Sequence, residues 1–284
     1  MSSSPAPFFV GLDSDGCVFD TMDVKQREHF FPNIVRHWHL ETIADAVLRA
    51  VVFVNLESRH RGQNRFPCLL RVFESLATIP GVRESGVALP DLAPLRAYVD
   101  SGVILGNPTL KEAVRATGDP ELERVYAWSL AVNESIDRTM RPVPPFRGAL
   151  RALALLRGRA KTTVVSQTPQ AALVREWNLH GIADSVDAIP GQEGGTKAEQ
   201  LRKASAGIPH SHCVMLGDAP ADAHAADEAG VLFFPILPDR EEESWTRFCD
   251  EAWPRLQAET YAGPYCKALR AEFDSCLPSD PPWK

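Results

Sequence analysis

Four carboxylates stand in two short clusters: Asp13 and Asp15 in Asp13-Ser-Asp15-Gly16, and Asp218 and Asp222 in Gly217-Asp218-Ala-Pro-Ala-Asp222. Each cluster follows a short apolar run, Phe8 to Leu12 and His212 to Gly217, of the kind that forms a buried strand. Ligands of an open α/β sheet bind beyond the carboxyl ends of its strands, so both clusters are expected to face one pocket. Like charges about 4 Å apart repel by about 4 kcal/mol per pair at an effective dielectric near 20. A hard cation relieves that repulsion. A set of oxygen donors favours Mg2+, which keeps several waters and takes one or two carboxylates plus a substrate phosphate.

Two further residues suit a phosphate. Ser166 ends the run Thr162 to Ser166, just before a helix start at Thr168-Pro169, so its hydroxyl and nearby backbone N–H groups can face an anion. Lys197 lies in the first turn of a helix opened by the capping box Thr196-Lys-Ala-Glu199, and its ammonium is a point charge suited to phosphate.

The elements that must position these residues can be read from the same pattern. Strands are expected at Phe8 to Leu12, Thr162 to Ser166, Ser185 to Ile189, His212 to Gly217 and Val231 to Pro235. Helices are expected between the later ones: Phe146 to Arg157, a helix through Trp177 with Thr168 as N-cap and Pro169 at N1, Thr196 to Ala204, and Pro220 to Ala229 closed by Gly230. This alternation implies βαβ units and a mostly parallel sheet, hence an α/β fold.

After Asp20 about 120 residues of helical pattern interrupt the rhythm. The candidates are Val24–Trp38, Glu41–Val54, Phe66–Ala77, Leu92–Val99, Pro108–Thr117 and Glu121–Ser135, before a stiff return at Pro142 to Pro145. The expected division is a discontinuous core, 1–21 and 143–238, a helical insertion, 22–142, and a C-terminal helical extension, 239–284.

Composition narrows the partners. The chain has 284 residues, 44% hydrophobic and 24% charged, with a formal net charge of −7. This is the profile of a globular protein and does not advertise nucleic acid or an anionic membrane as the main partner. Met1 to Pro7 has neither the basic nor the apolar region of a secretory signal, and no apolar run approaches membrane-spanning length. Six cysteines without a C-x-x-C pair read as reduced thiols, so a cytoplasmic location is expected.

In their order along the chain, these segments resemble the four motifs of the haloacid dehalogenase (HAD) superfamily. Phe9-Val-Gly-Leu-Asp13-Ser-Asp15-Gly16 matches its apolar strand followed by D-x-D-G. Ser166 matches the strand-ending Ser or Thr, Lys197 the helix-opening Lys, and Gly217-Asp218-Ala-Pro-Ala-Asp222 through Ala229-Gly230 the G-D-x-x-x-D motif. The resemblance covers about 8–20 and 144–235. Cys17 departs from the Thr of many members, and the segment beyond Pro235 has no counterpart.

The resemblance implies a Rossmann-like core with a helical cap inserted after the first strand. It further implies a Mg2+-dependent phosphatase acting through an aspartyl-phosphate on a small phosphorylated metabolite, a sugar phosphate or similar. Asp13 would be the nucleophile and Asp15 the acid and base. An Asp at position 15 favours phosphate esters, since dehalogenases and phosphonatases lack it there. Mg2+ would be held by Asp13, the Asp15 carbonyl and Asp218, with Asp222 orienting that shell or Lys197. Ser166, Lys197 and backbone amides near Gly16 and Gln167 would stabilise the phosphoryl oxygens. A phosphomutase, or a catalytically silent HAD-like binding or scaffold protein, is the alternative. Within the insertion, Arg59, Arg61 and Arg65 surround a Gly-bearing loop; they read either as a solvated loop or as a grip on a second polar part of the substrate. The sequence sets neither the oligomeric state nor the substrate's identity.

Overall fold

Four short parallel strands lead to Asp13, Ser166 and Asp218. β1 is Phe9–Leu12, β2 Lys161–Val164, β3 Cys213–Gly217 and β4 Leu232–Pro235. Their order is β2-β1-β3-β4, with Leu12 paired to both Val164 and Leu216. The structure, a computed structural model, describes residues 8–284; the Met1 to Pro7 stretch, where no secretory signal is expected, lies outside the described residues. β1 and β3 are buried along their whole length, as an unbroken apolar run in a parallel sheet requires. Gly11 has a packing reason: a Cβ there would stand 2.8 Å from Leu201 and 3.1 Å from the Met215 sulfur. Its absence lets the helix behind β1 approach the sheet.

The alternation of strand and helix is as expected for an α/β protein, with two differences. The segment Ser185 to Ile189 is not a strand. It makes one parallel bridge to β2, with Val164 N–H donating to Ala188 O at 3.0 Å and Asp187 N–H to Thr162 O at 2.8 Å. The Asp187 carboxylate takes the Thr162 N–H at 2.6 Å, where a strand carbonyl would otherwise bind, and Pro190 has no N–H to continue the ladder. The helix after Ser166 spans Gln170–Leu179, so Thr168 is not its N-cap and Pro169 precedes rather than opens it. The Thr168 hydroxyl is committed elsewhere, as described below.

The other two crossing helices start where their end signals place them. Lys197–Ala204 opens on a complete capping box, with Thr196 Oγ1 accepting from Glu199 N–H at 3.2 Å and Glu199 accepting from Thr196 N–H at 2.7 Å. Pro220–Ala229 ends on Gly230 at φ 73°, a left-handed C-cap.

The chain forms two compact units: one runs through Met22 and resumes at Pro142–Cys276, the other comprises Asp23–Arg141 and Leu277–Lys284. The first unit's core includes residues beyond the sheet. Trp245, Phe248, Trp253 and Tyr261 are buried in it, the Trp245 indole N–H donates to Cys17 O at 3.0 Å, and the Tyr261 hydroxyl donates to Phe233 O at 2.7 Å. Glu242 accepts from Arg147 and Gly148 N–H, both at 2.7 Å, and so caps the Arg147–Leu156 helix from a distant segment.

The second unit is helical and has its own core, including Trp38, Phe66, Phe73 and Trp128. Its longest helix, Pro120–Thr139, is opened by Asp119, which accepts from Glu121 and Leu122 N–H at 2.9 and 3.0 Å. Trp283 packs within this unit against Phe53, with ring centroids 5.5 Å apart. No helix among the described residues is long and apolar enough to cross a membrane. All six cysteines are free thiols.

Candidate active site

Beyond Leu12 the backbone leaves the sheet in a tight turn. Asp13 N–H still donates to Leu216 O at 2.9 Å, so the carboxylate starts at a fixed point on the strand end. Ser14 O then accepts from Val18 and Phe19 N–H at 3.0 and 3.1 Å, and Gly16 takes φ 81°, which a residue with a Cβ rarely adopts. The Gly16 amide, expected to face a phosphate, donates instead to Phe19 O at 2.7 Å, because closing the turn uses it. The buried Trp177 indole holds Ser14 from behind, donating to its hydroxyl at 3.1 Å.

The turn sends its two acids into different surroundings. Asp13 is 5% exposed and accepts from Ser14 N–H at 2.8 Å and, through its other oxygen, from Lys197 at 2.9 Å. Asp15 is half-buried, and its carboxylate accepts from the Thr21 hydroxyl and from the Thr168 hydroxyl at 2.9 Å. Sequence pattern assigns neither threonine to the site: Thr168-Pro169 has the pattern of a helix start, and Thr21 carries no signal.

The end of β3 supplies the other pair. Asp222 Oδ2 accepts from Ala219 N–H at 3.0 Å, and its Oδ1 accepts from Lys197 at 2.6 Å. Gly217 makes this possible, since a Cβ there would lie 2.4 Å from Asp222. Asp13, Asp218 and Asp222, all buried, each place a carboxylate oxygen within 4.8 Å of the others. Lys197 bridges two of the three.

Ser166 is 2% exposed just past β2. Its hydroxyl accepts from Thr168 N–H at 3.1 Å, and its backbone is held by Gln200, a residue without any sequence signal. The Gln167 side chain turns away to donate to Gly195 O at 2.9 Å.

Burial pushes the Asp13 carboxyl well above the usual carboxylate range; Asp222 adds to the shift, Lys197 opposes it and Asp218 adds again. Burial likewise disfavours the Lys197 ammonium, but the pull of Asp13 and Asp222 holds its pKa above the ordinary lysine value. Three buried carboxylates against one ammonium leave a surplus of negative charge in a dry place. That surplus, carried on oxygen donors alone, fits a divalent hard cation. Both oxygens of Asp222 are already engaged within the chain, which suits it to hold Lys197 in place. The Asp15 carboxylate lies outside the three-acid group and is held by hydroxyls, leaving its backbone carbonyl as the donor that the sequence reading assigned to a metal.

The three arginines of the helical unit differ among themselves. Arg61 is 4% exposed and donates to Leu56 O at 2.9 Å. Arg65 donates to Ser129 O, Ser129 Oγ and Asn133 Oδ1 at 3.1, 3.0 and 2.8 Å and lies over the Phe30 ring; burial brings its pKa down to about 10. These two guanidinium groups hold their own unit together. Arg59 alone of the three is exposed.

No protein-family model matches the chain, and no curated protein matches it. Solved structures do. The chain is similar to HAD-superfamily hydrolases. One structure, provisionally named a phosphoglycolate phosphatase, from Lactobacillus delbrueckii subsp. bulgaricus, shares 17% identity over 81% of this chain and 85% of that one, with a TM-score of 0.47. A HAD-superfamily subfamily IA hydrolase from Geobacter sulfurreducens shares 17% over 82% and 89%, with a TM-score of 0.42. A structure provisionally named a beta-phosphoglucomutase, from Bacteroides vulgatus, shares 14% over 91% and 92%, with a TM-score of 0.44.

Proposed function

We propose that this protein is a Mg2+-dependent phosphatase that hydrolyses a small phosphorylated metabolite through an aspartyl-phosphate on Asp13. The observation that carries the reading is the Lys197 bridge between Asp13 and Asp222, at 2.9 and 2.6 Å, beside buried Asp218. It gathers three of the motif segments around one point at the strand ends. Ser166, two residues past the end of the neighbouring strand, belongs to the fourth.

In this reading an Asp13 oxygen attacks phosphorus, and the bond from phosphorus to the leaving oxygen breaks. Asp15 gives that oxygen a proton. In the second step Asp15 takes a proton from water, the water oxygen attacks phosphorus, and Asp13 is released with inorganic phosphate. Lys197 and the Ser166 hydroxyl hold the phosphoryl oxygens, while Thr21 and Thr168 keep the Asp15 side chain in place. Asp13, Asp218 and the Asp15 carbonyl would hold Mg2+, which supplies neutralisation of the charge brought together by phosphate and carboxylates. Asp222 orients Lys197.

A phosphate-release screen over a metabolite library, with and without Mg2+, tests the reading. Release from a subset of small phosphate esters, dependent on Mg2+, is expected. Silence across the library and with a generic aryl phosphate would defeat it and favour a binding protein.

A further inference from the structure

Gln200 lies one turn beyond Lys197 on the same helix and is 3% exposed. Among the described residues its carboxamide hydrogen-bonds only to backbone groups. Oε1 accepts from Ser166 N–H at 3.2 Å, and Nε2 donates to Ser166 O at 3.0 Å. The side chain thus pairs with Ser166 as a neighbouring peptide would, just past the last residue of β2. Nε2 also reaches Gly191 O at 3.1 Å and Gly195 O at 3.0 Å, in the loop that leads into the Lys197 helix. The orientation of the amide is dictated by these partners: turned over, it would set its oxygen against three carbonyls and its NH2 against an N–H.

We propose that Gln200 is a positioning residue that locks the Ser166 hydroxyl and the Lys197 ammonium into one rigid frame for the phosphoryl group. The inference rests on the phosphatase reading above and extends it to a residue that touches no substrate. One amide ties together the strand end bearing Ser166, the loop before the helix, and the helix bearing Lys197. From Ser166 the linkage continues, since its hydroxyl accepts from Thr168 N–H and the Thr168 hydroxyl donates to Asp15. Without the amide, Ser166 and the 191–195 loop lose their common anchor. Displacement of a reacting group by an ångström costs about 100-fold in rate.

The test uses the full-length protein with a generic aryl phosphate and Mg2+. Gln200→Met keeps the side chain's length and removes the four hydrogen bonds. It is expected to lower kcat by about 10- to 100-fold with KM moved less than about threefold, because the loss falls on the transition state. Gln200→Glu keeps the acceptor for Ser166 N–H but sets an oxygen against the carbonyls. Its activity relative to wild type is expected to rise as pH falls, when the new carboxyl protonates and regains a donor. A residue that merely stabilised the fold would lower Tm and leave kcat and the pH ratio unchanged. A folded Gln200→Met with kcat within about twofold of wild type overturns this inference alone. An inactive wild type overturns the phosphatase reading, and this inference with it.

Discussion

At the scale of single residues, the cost of the site is carried by charge. Asp13 sits where burial and two neighbouring acids disfavour its ionised form, a penalty held for chemistry rather than stability. Asp13→Asn removes the nucleophile and the penalty together. Hydrolysis is expected to fall by about 1000-fold or more, while Tm by scanning calorimetry stays level or rises. Retained activity, or a collapsed fold, would count against that assignment. Arg65 is the opposite case. Its buried guanidinium serves three oxygens of the Pro120–Thr139 helix, so Arg65→Ala strands those acceptors. A loss of about 2–3 kcal/mol in urea unfolding is expected, with KM for an aryl phosphate unchanged. A raised KM at full stability would return Arg65 to the substrate.

At the scale of elements, the turn from β3 into the Pro220–Ala229 helix is the tightest joint of the site. Gly217→Ala would drive a methyl to within 2.4 Å of Asp222. The Asp222 carboxylate would have to leave Ala219 N–H or Lys197. A cost of about 1–3 kcal/mol in denaturant unfolding and a drop in kcat are expected, and wild-type values for both would mean that the turn relaxes freely. How far such joints could be read in advance depended on the range of the forces involved. The Thr196–Glu199 capping box and the Gly230 C-cap are local and were legible, as were β1 and β3 from their apolar runs. The segment at 185–189 looked like a strand because its residue types fit one; what excludes it is a side chain, Asp187, competing for a backbone donor. Thr168 departs from its helix-cap pattern for a related reason: its hydroxyl serves Asp15, 153 positions away, and sequence spacing does not encode such a partner. Gln200 and Trp177 were invisible for the same cause, since each acts on a backbone or hydroxyl far along the chain.

At the scale of the whole molecule, two units with separate cores share one chain that passes between them after Met22, after Arg141 and after Cys276. They should therefore answer pH differently. His29 and His60, both in the helical unit, have pKa values lowered first by burial. A histidine held neutral in the fold contributes no penalty above the unfolded value near 6.5, and the fold loses stability as pH drops below it. The urea midpoint of the helical unit is expected to fall between about pH 7.5 and 5.5, and replacing both histidines with glutamine should flatten that slope. An unchanged slope would mean other groups set it. Turnover through Asp13 requires a covalent event at that one carboxylate. Acid quenching during turnover of a radiolabelled phosphate ester, followed by peptide mapping, measures it directly. Mg2+-dependent label is expected on the peptide that carries Asp13 and none on Asp13→Asn; turnover with no label there, or with label on another residue, would rule out Asp13 as the nucleophile.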